Sequence, residues 1–287
     1  MTIQQALLKA IIKLRNKKSA SAHLDAEVLL AAVLNKPKGY LIAYSDKSLS
    51  SSQLVKFNSL ISRRLNGLPV AYLTGHKEFY GLDFYINKNV LVPRPETETL
   101  AECAIKYARE KISQNEKNKL IIAEIGTGSG CLAITLAKYL PQTRLIATDI
   151  SPAALSVARK NAGLHHVQGK IKFVKADLLS AFFIGKKIKL PRPDIIVANL
   201  PYGTRKEWQN VHHEPQIAVN GGKLGLEKID QLISQSPRAL GLNGLILLEI
   251  SPTQTEALRY LVLQHWPDKN LIIVKDLAGR DRVAIIK

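Results

Sequence analysis

Cysteine is nearly absent: Cys103 and Cys131 are the only two in 287 residues, and they form no C-x-x-C pair. A disulfide framework and a cysteine-based zinc site are thereby excluded, and a reducing compartment suits the chain. Long apolar runs are missing as well; the most apolar segment, 239–250, is interrupted by Asn243 and ends beside Glu249. A membrane-spanning helix needs about 20 such residues, so none is expected. Acidic residues are few, 23 against 41 Lys and Arg, for a formal net charge of +18. Such an excess draws phosphate-rich or acidic partners and speeds encounter with them. The 28 lysines are scattered, however, and compositional bias explains them as readily as a binding surface does. No G-x-x-x-x-G-K-[ST] phosphate loop occurs, which disfavours ATP or GTP hydrolysis. Internal repeats and low-complexity tracts are lacking too. What remains is ordinary globular material, 46% hydrophobic and 22% charged, enough to fill one large domain or two unequal ones.

The first seventy residues read as helix alone. No acid precedes Asp25, while Lys9, Lys13, Arg15, Lys17 and Lys18 do, as in an organelle transit peptide. A folded helix is the better reading. Thr2 and Gln5 have capping-box spacing, and Ile3, Leu7, Ala10, Ile11 and Leu14 recur at helical intervals. Ser21 is placed to cap a second helix through Leu34, and Ser51 or Ser52 a third, with Leu54, Phe57, Leu60, Ile61 and Leu65 on one face and Gly67 as its stop. A small helical bundle over 1–71 follows. Over 72–95, Phe79, Tyr80, Phe84 and Tyr85 crowd around Gly81 ahead of Pro93-Arg94-Pro95, which suggests a hairpin-like linker. From 96 to 287, apolar runs at 120–125, 145–148, 171–174, 194–198 and 245–249 alternate with helical segments near 97–112, 131–140, 152–162 and 226–240. That alternation predicts an α/β domain with a mostly parallel, doubly wound sheet, closed by an antiparallel pair at 271–274 and 283–286.

Glu124 ends the first of these strands, which runs into Gly126-Thr127-Gly128-Ser129-Gly130 and at once into a helix. Glycines let a backbone turn sharply and approach a ligand, and the helix N-terminus offers free N–H groups. Asp149, followed by Ile150, lies 19 residues past Gly130 at the end of the next strand, where an acid accepts hydrogen bonds from ribose hydroxyls. A nucleoside-containing ligand is expected. After the fourth strand come Asn199, Leu200, Pro201 and Tyr202: an amide, a rigid ring and an aromatic that form a slot for a planar amide or amino-purine.

GTGSG at 126–130, DISPAALSVARKNA at 149–162 and NLPY at 199–202 resemble class I S-adenosylmethionine-dependent methyltransferases acting on nitrogen. RRLNGLPVAYLTGHKEFYGLDFYINKNVLVPRPETE at 63–98, HEPQIAVNGGKLGLEKI at 213–229 and DLAGRDRVAII at 276–286 narrow this. Over essentially the whole chain, they resemble the peptide chain release factor glutamine methyltransferase family. The resemblance implies a Rossmann-like catalytic domain preceded by a helical domain that docks the release factor. It implies S-adenosyl-L-methionine as cofactor and the glutamine of the Gly-Gly-Gln loop of class 1 release factors as acceptor. It also implies that Glu124 supports the glycine loop, that Asp177 meets the adenine amino group beside Leu178, and that Arg94 and Glu96 lie near the substrate mouth. A cytoplasmic monomer without a metal is expected, with weak RNA or ribosome contact through the basic surface. Two departures stand out: Leu200 replaces the first proline of the usual Asn-Pro-Pro-Tyr, and Leu178 replaces a frequent aromatic. The first is shared with ribosomal RNA adenine dimethyltransferases, so an RNA or DNA adenine methyltransferase is the alternative, and a binding module without turnover a third reading. His212-His213-Glu214 reads as solvated loop more than metal site, Lys186-Lys187-Ile188-Lys189 as solvated loop, and Cys131 as a small core residue.

Overall fold

Thr2 and Gln5 do form a reciprocal cap. The Thr2 hydroxyl accepts from the Gln5 amide at 3.2 Å, the Gln5 side chain accepts from the Thr2 amide at 3.1 Å, and α1 (Ile3–Asn16) follows with Ile3, Ala6, Ala10, Ile11 and Leu14 buried. Helix α2 (Ala22–Leu34) starts after Ser21, whose side chain makes no capping bond. After α3 (Lys38–Ala43), α4 (Ser51–Leu65) is capped by Ser50 and not by Ser51 or Ser52. The reason is Gln53: it lies three residues past Ser50, so that serine alone closes a reciprocal box, with bonds of 3.2 and 2.9 Å. A largely buried ion pair ties α2 to α4, Arg64 Nε donating to Asp25 Oδ2 at 2.8 Å. Around it Leu14, Leu29, Leu30, Phe57 and Ile61 make one core, and α5 (Val70–Thr74) ends the helical run.

The computed structural model describes residues 1–114, 120–184, 187–188, 190–204, 211 and 213–287. They fall into two units, Met1–His76 and Lys77–Lys287. The hairpin expected within 72–95 is present. Residues 70–74 are helix α5 of the first unit, and the hairpin of β1 (His76–Phe79) and β2 (Leu82–Tyr85), from Lys77 onward, is built into the second. Phe79 and Phe84 are buried there, and the turn between them places Tyr80 (φ 52°) and Gly81 (φ 71°) in the left-handed region that tight hairpins require.

Seven strands of the second unit form one sheet. In chain order they are β3 (Ile121–Ile125), β4 (Arg144–Asp149), β5 (Ile171–Lys175), β8 (Ile195–Ala198), β9 (Leu245–Glu249), β10 (Leu271–Lys275) and β11 (Asp281–Ile286). The two-residue strands β6 (Phe183–Ile184) and β7 (Lys187–Ile188) pair with each other outside it, so the expected solvated loop carries a short ladder; Lys186 and Lys189 lie outside the described residues. The sheet order is β10-β11-β9-β8-β3-β4-β5, parallel except for β11, which runs antiparallel to both neighbours. Helices α6 (Glu96–Gln114), α7 (Cys131–Tyr139), α8 (Pro152–Leu164), α9 (Gln216–Val219), α10 (Glu227–Ala239) and α11 (Thr255–His265) accompany the strands. Helix α11 has no clean sequence signal, because Tyr260 and Leu263 are exposed while Leu258 and Val262 are buried, so apolar residues ring it instead of striping it. Among the described residues no helix is long and apolar enough to cross a membrane.

Strand β3 has β4 on one side and β8 on the other, so crossovers leave it in opposite directions and a crevice opens at the carboxyl ends. Asn161 of α8 pins two segments bordering that crevice. Fully buried, it accepts from the Tyr85 amide at 2.8 Å and donates to the carbonyls of Tyr85 at 3.0 Å and Ser129 at 2.8 Å. Removing the amide leaves three backbone groups without partners, each worth about 1–3 kcal/mol when buried. Asn161→Ala is therefore expected to lower the unfolding free energy by roughly 3 kcal/mol in urea titration; a change under about 0.5 kcal/mol, the size of an ordinary surface substitution, would refute the clamp.

Candidate active site

The loop after β3 needs its glycines for two separate reasons. Gly126, Gly128 and Gly130 hold φ of 76°, 55° and 81°, a region that costs other residues about 1 kcal/mol or more. At Gly130 an added Cβ would also lie 3.0 Å from the Ala158 Cβ and 3.1 Å from the Ile134 side chain, so α7 and α8 pack against the loop itself. The amides of Gly126 and Thr127 donate to the Thr148 carbonyl at 2.9 and 2.8 Å. Asp149 then pins the far side: Oδ2 accepts from the Gly128 amide and Oδ1 from the Ser151 amide, each at 2.8 Å. Burial pushes its carboxyl up, against the pull of the Ser151, Gly128 and Ile150 amides. Each oxygen keeps a lone pair, the acceptor capacity that a pair of ribose hydroxyls would use.

Beneath the loop, buried Glu124 accepts from the Thr127 hydroxyl and, at 3.1 Å, from the Ala133 amide in the first turn of α7. Burial pushes its carboxyl up to about 8, with those two bonds pulling the other way. Its place is under the glycine loop.

A cavity of about 190 Å³ opens over this frame. Every expected site residue borders it except Gly130, which the α8 contact covers, Tyr202 and Glu96. Asp177 sits on the rim, its side chain 57% exposed and paired with Lys228 at 3.5 Å, while Leu178 is buried at the wall with a left-handed φ of 48°. Asn199, Leu200 and Pro201 close the opposite side. Asn199 Nδ2 donates to the Thr97 hydroxyl at 3.0 Å, and among the described residues Oδ1 has no hydrogen bond. Tyr202 is turned to a partner that sequence reasoning missed: its hydroxyl donates to Glu249 Oε1 at 2.9 Å. Glu249 is 1% exposed at the end of β9. Burial pushes its carboxyl up, and the hydroxyls of Thr97 and Tyr202 and the charge of Arg282 oppose that. Its Oε2 has no hydrogen bond among the described residues. The available signal was a single acid terminating an otherwise apolar strand, Leu245–Glu249.

Over the cavity, Arg94 donates to Glu214 Oε1, and the Val92 amide donates to Glu214 Oε2 at 3.1 Å. Glu214 therefore fastens the segment after the hairpin to the segment before α9, while His212 lies outside the described residues. Glu96 pairs with Arg280 at 3.6 Å. The Cys131 thiol is buried and pushed up to about 12, which leaves it unreactive as a thiolate at neutral pH.

The state of Glu124 has a measurable signature. Between its ordinary value of 4.5 and about 8, the folded chain holds a proton that the unfolded chain releases. Stability is thus greatest below the lower value and falls as pH rises through the upper one, by up to about 1.4 kcal/mol per pH unit. Urea midpoints from pH 5.5 to 8.5 are expected to decline more steeply in the native chain than in Glu124→Gln. Parallel declines would mean that Glu124 carries no such proton.

Known proteins share both units. Residues 5–75 match the PrmC N-terminal domain, and residues 101–201 match the ribosomal protein L11 methyltransferase (PrmA) family. The hMettl16 catalytic domain, solved in complex with MAT2A 3'UTR hairpin 1, has the same fold, with a TM-score of 0.56 at 15% identity over 90% of each chain. The bifunctional methyltransferase of Rickettsia conorii is 34% identical over 99% of this chain and 57% of its own length. The release factor glutamine methyltransferase of Moorella thermoacetica is 36% identical over 98% of this chain and 97% of its own, and that of Koribacter versatilis 36% identical over 99% and 98%. Carrying that likeness through both the helical unit and the sheet that builds the cavity, the chain belongs to the release factor glutamine methyltransferase family.

Proposed function

We propose that this protein methylates the side-chain amide nitrogen of the glutamine in the Gly-Gly-Gln motif of class 1 release factors, with S-adenosyl-L-methionine as donor. The observation that carries the reading is the amide slot. Asn199 has its NH2 end occupied by Thr97 and its Oδ1 left over, beside a nucleoside-type pocket, in a chain whose full-length relatives are release factor glutamine methyltransferases. The pocket suits the cofactor: a glycine loop that a side chain would fill, an acid with acceptor capacity for a ribose, and Leu178 as an apolar wall for a base.

When bound, S-adenosyl-L-methionine supplies a sulfonium-activated methyl group. The rest of the chemistry belongs to this chain's own groups. An amide nitrogen is a weak nucleophile because its lone pair is delocalised into the carbonyl. Asn199 Oδ1 and the Leu200 carbonyl accept its two N–H bonds, which favours localising the lone pair and stabilises the positive charge that develops on nitrogen. Leucine serves at 200 because only a backbone carbonyl is asked of that position. Holding acceptor and donor in line is worth up to about 7–11 kcal/mol in well-arranged cases. A strong base is unnecessary, since an N-protonated amide passes its proton to water. The helical residues 1–71 dock the protein substrate, so binding energy remote from the glutamine orients it in the slot. The enzyme acts in the cytoplasm as a monomer, where its +18 charge adds weak contact with RNA or ribosome.

The test is to offer a purified class 1 release factor and total RNA to the enzyme with methyl-labelled cofactor. One methyl on the Gly-Gly-Gln glutamine, located by peptide mass spectrometry, is expected, with RNA unlabelled; labelled RNA beside an unmodified factor would replace the reading with adenine methylation. Asn199→Ala should cut kcat by about 10²–10³ with cofactor affinity nearly intact. Asp149→Ala should instead weaken cofactor binding in calorimetry by about 1.5–3 kcal/mol, the range for hydrogen bonds to a charged group.

A further inference from the structure

We infer that Thr97 and Glu249 are positioning residues that set which end of the Asn199 amide faces the acceptor, an inference that rests on the amide-slot reading above. The two ends of an asparagine amide are nearly the same size, but one accepts and the other donates. A slot for an –NH2 group works with the oxygen inward and fails with the NH2 inward. Contact with Thr97 alone does not choose between them, because a threonine hydroxyl serves equally as donor or acceptor.

Glu249 removes that freedom. Its carboxyl is buried beside both the Thr97 and the Tyr202 hydroxyls, and both act on it as donors, opposing the burial that pushes it up. Tyr202 donates to Oε1 at 2.9 Å, and the otherwise unpartnered Oε2 leaves capacity for the Thr97 proton. With that proton directed to Glu249, Thr97 Oγ1 presents lone pairs to Asn199. Nδ2 then turns toward Thr97, at 3.0 Å, and Oδ1 toward the cavity. Burial pushes the Glu249 carboxyl up, and buried Arg282, fixed by its bonds to Asp276 Oδ2 and the Ile250 carbonyl, supplies the positive charge that opposes it. One acid on β9 therefore sets the direction of a relay that crosses α6 and ends at the Asn-Leu-Pro-Tyr segment. The same acid holds the Tyr202 ring next to it.

The test uses three full-length variants: Thr97→Val, which keeps shape and loses the hydroxyl; Thr97→Ser, which keeps the hydroxyl; and Glu249→Gln, whose side chain donates as well as accepts. Thr97→Val is expected to lower kcat on the release factor by about ten- to a hundredfold, less than outright loss of a preorganised contact, with KM and cofactor affinity within about threefold. Thr97→Ser should restore most of the rate, and Glu249→Gln should lie between. Side-chain amide hydrogen exchange of Asn199, read by NMR in 15N-asparagine-labelled protein, should quicken in Thr97→Val and Glu249→Gln but not in Thr97→Ser. This readout needs no acceptor, so it decides the relay even if the release factor proves the wrong substrate. Native exchange and native kcat in both Thr97→Val and Glu249→Gln would overturn the inference. So would a loss in Thr97→Val that serine fails to restore and that cofactor affinity shares.

Discussion

A carboxyl group taken out of water must collect donors, pair with a charge or hold its proton, and four acids under that constraint organise the catalytic unit. Glu124 collects Thr127 and Ala133, joining the glycine loop to the helix that follows it. Asp149 collects Gly128 and Ser151, joining the loop to the next crossover. Glu214 collects Arg94 and Val92 across the cavity, and Glu249 collects Tyr202 and faces Thr97. Each acid draws donors from segments far apart in the chain or from both sides of a turn. Satisfying it is what holds those segments in register.

The arrangement separates two tasks by location. Around the glycine loop, rigidity is in the backbone: left-handed glycines, an α8 contact too close for a side chain at Gly130, and Asn161 bridging the hairpin and the loop. Around Asn199, it is in the direction of hydrogen bonds, because the two ends of an amide are nearly alike in shape. Steric packing holds a pyrophosphate-type turn or a cofactor cradle well, but it distinguishes poorly between an amide oxygen and an amide nitrogen. A polar chain with a fixed hydrogen-bond direction makes that distinction.

Much of the glycine-loop region was legible before the fold was seen, since a strand, a glycine run, a helix and an acid 19 residues on are all local or nearly local signals. The reciprocal cap at Thr2 and Gln5 was legible for the same reason. Ser50 was misplaced by one or two positions because three serines stand in a row and only the bond to Gln53 selects among them. Helix α11 escaped notice because its outer face is nearly as apolar as its inner one.

By itself, then, the sequence determined the element types, the parallel sheet with its final antiparallel strand, the glycine loop and the place of the Asn-Leu-Pro-Tyr segment after a strand, because periodicity and turn chemistry act over a few residues. The partnerships of Thr97 with Asn199, Tyr202 with Glu249, Arg94 with Glu214 and Asn161 with Tyr85 were decided by the tertiary structure. These pairs stand 102, 47, 120 and 76 residues apart. No local pattern encodes which buried donor will meet which buried acid; that follows only once the crossovers around β3 bring the strand ends together.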